Sequence, residues 1–149
     1  MSLSEASREM SREETDEFLR SQGHGFLSLA SQNRAYGIPI VYGYDPEAQL
    51  FTTELLFEEP SRKQQFLADS EEVTLCVYDW EEITAWQSVI AIGELERVED
   101  RDRIADLMSL LAENPADVVP WSYRSPLSDL DDRVWYVLDP DSLTGYSAE

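Results

Sequence analysis

A small antiparallel β-barrel with peripheral helices is the fold class this sequence predicts, and three observations predict it. Segments of strand character are short, numerous and separated by turn residues. With the helical segments they run helix, three strands, helix, two strands, helix, strand, which is not the strict alternation of a doubly wound sheet. The 149 residues are 42% hydrophobic, enough for one domain with a real core.

Ser11-Arg12-Glu13-Glu14 has the form of a capping box, with Ser11 as N-cap and Glu14 reaching back. The helix it opens should run to about Gln22 and stop at Gly23, which tolerates the left-handed conformation. Phe26 to Ala30, Tyr36 to Tyr44 and Leu50 to Thr53 read as three strands, with Asp45-Pro46-Glu47 as turn chemistry between the last two. Pro39 cannot donate to a ladder, so its strand should lie at an edge or turn a free face outward. Ser61-Arg62-Lys63-Gln64 opens a short second helix whose inward face is Phe66 and Leu67.

Val73 to Trp80 and Ser88 to Val98 are the fourth and fifth strands. From about Arg101 to Glu113, Ile104, Leu107, Met108 and Leu111 recur at spacings of three and four, a helix ended by Asn114-Pro115. Ala116 to Asp132 carries Pro120, Pro126 and several turn residues and reads as a long loop, and Arg133 to Leu138 is the last strand.

Thirty-one acidic residues against 11 basic ones give a net charge of −20. Such a chain repels nucleic acid and anionic membranes, so neither is an expected partner. The acids are spread along the chain, which makes them a surface property. Lys63 is the only lysine, and abundant acid with almost no lysine reads as adaptation to high salt, where self-repulsion is screened. An acidic mimic of nucleic acid is the rival reading, and the strand-rich core pattern fits it poorly. No apolar run approaches the ~20 residues that span a bilayer. Met1 to Glu14 lacks the apolar centre of a secretory signal, so the expected location is the cytoplasm.

Cys76 and His24 are each the only residue of their kind. Neither a cysteine-based zinc cluster nor a multi-histidine metal site can form, so no metal is expected. Cys76 within Val73 to Tyr78 reads as a small buried apolar residue, and His24 as a surface or structural one.

One place argues for a site. Arg62 and Lys63 fall in the first turn of a helix, where unpaired N–H groups and the helix dipole already concentrate positive charge. Two cations there are locally unfavourable. An anion would reverse that, because the N–H groups, the Ser61 hydroxyl, the Arg62 fork and the Lys63 ammonium could all face it. Phosphate is the natural guest. Salt bridges to Glu58, Glu59 or other surface acids are an equal alternative on local physics alone.

Phe51-Thr52-Thr53, a loop, then Ser61-Arg62-Lys63 resembles the strand and helix-start signature of the pyridoxamine 5'-phosphate oxidase family. Tyr36 to Asp45 and Trp86 to Gly93 are similar to two further strands of that family, and Leu143-Thr144-Gly145 to its usual ending. Matching order and spacing run from about Ser11 to Val98, and the nearest likeness is to an acidic, haloarchaeal-type branch.

The resemblance implies a split β-barrel of six or so strands, working as a homodimer with FMN at the interface. It places Ser61, Arg62 and Lys63 on the phosphate, and Thr52 and Thr53 on the ribityl chain or phosphate. It lays Gly37 to Tyr42, with Ile38, Pro39 and Ile40 at its centre, along the flavin ring. Ser88 falls where a glutamine often faces the flavin, and Trp86, Trp121 and Trp135 are candidates to stack near the ring. The chain departs from the family's true oxidases in having no arginine after Arg133, so a phosphorylated substrate would meet little positive charge near that end. Synthesis of pyridoxal phosphate is therefore not expected. Glu58 and Glu59 beside the phosphate site would weaken FMN binding.

The implied function is a flavin-dependent oxidoreductase of unassigned substrate, with the chemistry carried by the FMN ring and no catalytic side chain singled out. The alternative is a non-catalytic protein that binds flavin or another phosphorylated ligand. Exchange of FMN for a deazaflavin or haem ranks below both. A poly-acidic deazaflavin tail would be repelled, and His24 is the only conventional haem ligand.

Overall fold

Alternating burial marks the strands His24–Ser31 and Arg34–Val41 and the first half of Val73–Glu82. The computed structural model describes residues 7–56, 62–115 and 133–149. Among them the elements run β1 (Ser7–Glu9), α1 (Arg12–Gln22), β2 (His24–Ser31), β3 (Arg34–Val41), β4 (Gly43–Asp45), β5 (Leu50–Leu56), α2 (Arg62–Asp69), β6 (Val73–Glu82), β7 (Ala85–Val98), α3 (Arg101–Ala112) and β8 (Arg133–Ala148). None of these helices is long and apolar enough to cross a membrane.

All pairings are antiparallel, and the sheet order is β3-β2-β6-β7-β8-β5-β4, with β1 added to β8. The two ends of that path, β3 and β4, are consecutive in the chain and joined by Tyr42 alone. A sheet whose ends are one residue apart must curl round until they meet. It therefore closes as a barrel at Tyr42, yet no ladder joins β3 to β5 beyond that point. The barrel is split there.

The interior is filled by one face of the strands, including Leu27, Leu29, Ile38, Ile40, Leu75, Val77, Val89 and Ala91. Each buried Leu, Ile or Val side chain among them contributes roughly 1.5–3 kcal/mol. Leu107 and Leu111 of α3 cover a second cluster, Val98, Trp135 and Val137, on the outside of the β7–β8 region.

Both caps of α1 form as the sequence predicts, while the Ser61 cap expected for α2 lies outside the described residues. Ser11 Oγ accepts from the Glu14 N–H at 3.1 Å and the Glu14 carboxylate accepts from the Ser11 N–H at 3.1 Å. Gly23 ends α1 with φ of +74°, and a Cβ there would stand 2.5 Å from Asn114 Nδ2. Both the backbone angle and the close approach require glycine. Pro39 sits on β3, an edge of the sheet.

Four strand expectations are revised. The single strand Tyr36 to Tyr44 is broken at Tyr42, whose N–H donates to Gly23 O at 3.0 Å and turns the chain from one end of the sheet to the other. The last strand does not stop at Leu138 but runs on to Ala148. Asp139-Pro140-Asp141 reads locally as a turn, but a bulge opposite Ile92 and Gly93 absorbs it. The strand predicted over Leu50 to Thr53 extends to Leu56, held by β8. Ser7 to Glu9, not predicted as a strand, is short and polar and forms only because the end of β8 offers it an edge.

Candidate functional site

Residue parity decides which groups face the split. Phe26 pairs with Pro39, and because Pro39 has no N–H this pair must be a non-hydrogen-bonded one. Ile38 and Ile40 therefore spend their backbone groups on β2. Gly37, Pro39 and Val41 turn theirs to the free edge. Thr53 confirms the parity, since its Oγ1 donates to Val41 O at 2.8 Å across the point where β3 and β5 diverge. The side chains follow the opposite division: Ile38 and Ile40 are buried in the barrel, while Gly37, Pro39 and Val41 are exposed. A Cβ on Gly37 would meet nothing within 4 Å. The edge of β3 thus offers one carbonyl already anchored, unpaired polar backbone, and open space beside a glycine.

On the other wall, Thr52 Oγ1 donates to Tyr136 O at 3.1 Å, and Thr52 is 1% exposed. Both threonine hydroxyls predicted to meet a ligand are thus donated to the fold. The void beneath them measures about 10 Å³, at the lower limit for a single water. A ligand of cofactor size must lie along the edge, outside the filled barrel.

α2 is pinned to the same region. Phe66 stacks against Tyr36 of β3 with ring centroids 5.1 Å apart. Ser70 Oγ meets both the N–H and C=O of Ala30 at 3.0 Å, and Ser31 donates to Asp69 at 2.8 Å. Arg62 and Lys63 lie about one turn before Phe66, with no acidic residue in that first turn. Ser61, Glu58, Glu59 and Trp121 lie outside the described residues.

Trp86 and Ser88 are elsewhere. Both are on β7, three strands away from β3 along the sheet, Trp86 buried opposite Trp80 and Ser88 half-buried opposite Tyr78 and Tyr146. Trp135 is 3% exposed beneath α3 and belongs to the core rather than to any ligand face. Cys76 is half-buried on the outward face between Phe26 and Ile90, not in the interior, and burial pushes its thiol pKa up. The candidate residues thus fall into two groups on one protomer: the split with α2, and the outer surface of β6 and β7.

That outer surface is apolar. Phe26 (52% exposed), Val41, Tyr78 (53%), Trp80 and Ile90 stand out from β2, β3, β6 and β7, with Phe26, Cys76 and Ile90 in one row across three strands. The strand register is what brings these side chains side by side. A hollow of about 1020 Å³ between α1, β4 and the end of α3 meets the predicted stretch only at Tyr42 and is lined by Arg12, Asp16, Glu17 and Glu113 among others. Among the described residues no group of three or more histidine, cysteine, aspartate or glutamate side chains is arranged to hold a metal.

A sequence model of the family described as Pyridoxamine 5'-phosphate oxidase matches residues 11–147. No curated protein matches the chain. Among solved structures, a FAD-binding protein from Mesorhizobium loti superposes with a TM-score of 0.71 at 19% identity, over 96% of this chain and 99% of that one. The FAD binding protein from Mycobacterium smegmatis gives 0.67 at 17% identity, over 95% and 99%. A FAD and heme binding protein from the same organism gives 0.70 at 15%, over 97% of this chain and 74% of that one.

Proposed function

Because the chain belongs to the pyridoxamine 5'-phosphate oxidase family, we propose that it binds FMN along the free edge of β3, with the phosphate at the start of α2. One observation carries this: the barrel is open between β3 and β5, and the chain's only lysine, with an adjacent arginine, begins the helix pinned beside that opening. The donor set fits the group. Arg62 and Lys63 supply charge-assisted bonds to a phosphate. Gly37 and Pro39 supply free backbone groups and room for a flat ring. Thr53 acts through Val41, holding the two strands together at the closed end of the opening.

Bound flavin would supply hydride or electron transfer, and the protein would act as an oxidoreductase on a small molecule. The chain's own part is to grip the phosphate, orient the ring and shield it. No side chain is given a catalytic role.

The site is completed by a second copy. Trp86 and Ser88 lie on β7, three strands from β3 and two from β5, and the exposed apolar patch on β2, β3, β6 and β7 is the kind a partner covers. A homodimer joining the outer face of one protomer to the split of the other would satisfy both.

The test replaces Arg62 and Lys63 together by glutamine. Two charge-assisted contacts, each worth about 1.5–3 kcal/mol, are removed, so FMN affinity should fall at least about a hundredfold. Riboflavin, without the phosphate, should bind parent and variant alike. Unchanged FMN affinity would overturn the phosphate assignment. Light scattering in concentrated salt should give a dimer, and a monomer with FMN bound would refute the shared site. Reduction of the bound flavin by NAD(P)H separates a catalyst from a carrier.

A further inference from the structure

The first two turns of α3, the end of β7 and the start of β8 enclose a groove of about 520 Å³. Its floor is largely hydrocarbon, Ile104 and Met108, with the buried Trp135 beneath them. Its rim carries Arg97, Arg101 and Arg133 against one acid, Glu99. In a chain of net charge −20, three of the ten arginines line this one groove. Among the residues that line it, arginines outnumber acids three to one.

Arg101 stands in the first turn of α3, where the helix dipole disfavours a cation. It makes no ion pair among the described residues. Arg97 meets Glu99 at 3.4 Å, but both side chains are largely exposed, so water competes for that pair and an arriving anion could replace it. A volume of this size is within the range of small-molecule sites, which combine an apolar floor with a few placed charges. Arginine suits a planar anion because its fork binds carboxylate in a bidentate way.

We propose that this groove is a second ligand site, taking a small organic carboxylate with an aromatic body, the ring on Ile104 and Met108 and the carboxylate between Arg97 and Arg101. The acidic remainder of the surface would repel such a ligand, so the groove alone would hold it. This assignment does not depend on the flavin reading.

Calorimetric titration with 2-naphthoate, and with neutral 2-naphthylmethanol as control, tests it. The expected result is one saturable site per chain for naphthoate and at least tenfold weaker binding of the alcohol. Arg97→Gln with Arg101→Gln should weaken naphthoate at least tenfold without altering FMN binding. Glu99→Gln, which releases Arg97, should tighten it, and this opposite sign keeps the test decisive even if the double variant folds poorly. Arg62→Gln with Lys63→Gln should leave naphthoate unaffected. Failure to saturate at millimolar naphthoate, an unchanged affinity in both rim variants, or loss of naphthoate binding on loading with FMN would each overturn the second site.

Discussion

Asn114 follows the last turn of α3, is 6% exposed, and donates from Nδ2 to Gly23 O at 2.7 Å and Tyr42 O at 2.8 Å. Tyr42 OH in turn donates to Leu19 O at 2.6 Å and accepts from the Gly23 N–H. These bonds tie the ends of α1 and α3 to the single residue at which the barrel closes. Burial drives the Tyr42 phenol well above its ordinary pKa, so it remains a donor at any working pH. Asn114→Ala leaves the buried Tyr42 carbonyl without this donor, at a cost of about 1–3 kcal/mol. For a chain of this size that is a fall in Tm of roughly 2–10 °C. Asn114→Asp should fall further, because a carboxylate would face two carbonyls. Thermal melts of both variants check this, and an aspartate variant as stable as the parent would contradict it.

At the level of elements, α1 is held by its first turn. Arg8 of β1 forks onto Glu14 at 3.0 and 2.8 Å while Glu14 caps Ser11. The Arg8 hydrogen bond, then the Ser11 backbone N–H, hold the Glu14 carboxyl down at about 2. A depressed folded pKa stabilises the fold above the ordinary value of 4.5, and the effect disappears as pH falls through about 2. Parent should therefore melt above Glu14→Gln at neutral pH, with the gap closing between about 4.5 and 2. A gap independent of pH would assign the difference to packing instead. Water reaches this pair, so the gap should shrink in salt. Helix caps of this kind are legible in sequence because donor and acceptor are three residues apart. The length of β8 is not. A Cβ on Gly93 would stand 2.9 Å from Asp139 O, so its glycine admits the Asp139-Pro140 bulge from a strand more than 40 residues distant.

For the whole molecule, acids outnumber bases by 31 to 11, so twenty carboxylates have no possible one-to-one partner. Their repulsion acts over a Debye length of ~30 Å at 0.01 M salt and ~3 Å at 1 M. The Tm should therefore climb with potassium chloride concentration, and a flat or falling curve would count against adaptation to high salt.

Local chemistry in the sequence determined the capped helices, the alternating strands, the edge position of Pro39 and the cationic start of α2, because each depends on neighbours within a turn or a pleat. The tertiary structure alone decided that β3 and β4 are the two ends of one sheet, that Trp135 belongs beneath α3, and that Trp86 and Ser88 sit on β7, three strands from β3. Those facts depend on which distant strands pair. The partner of Thr53 on β8 is Tyr136, and no signal confined to a few residues carries that choice.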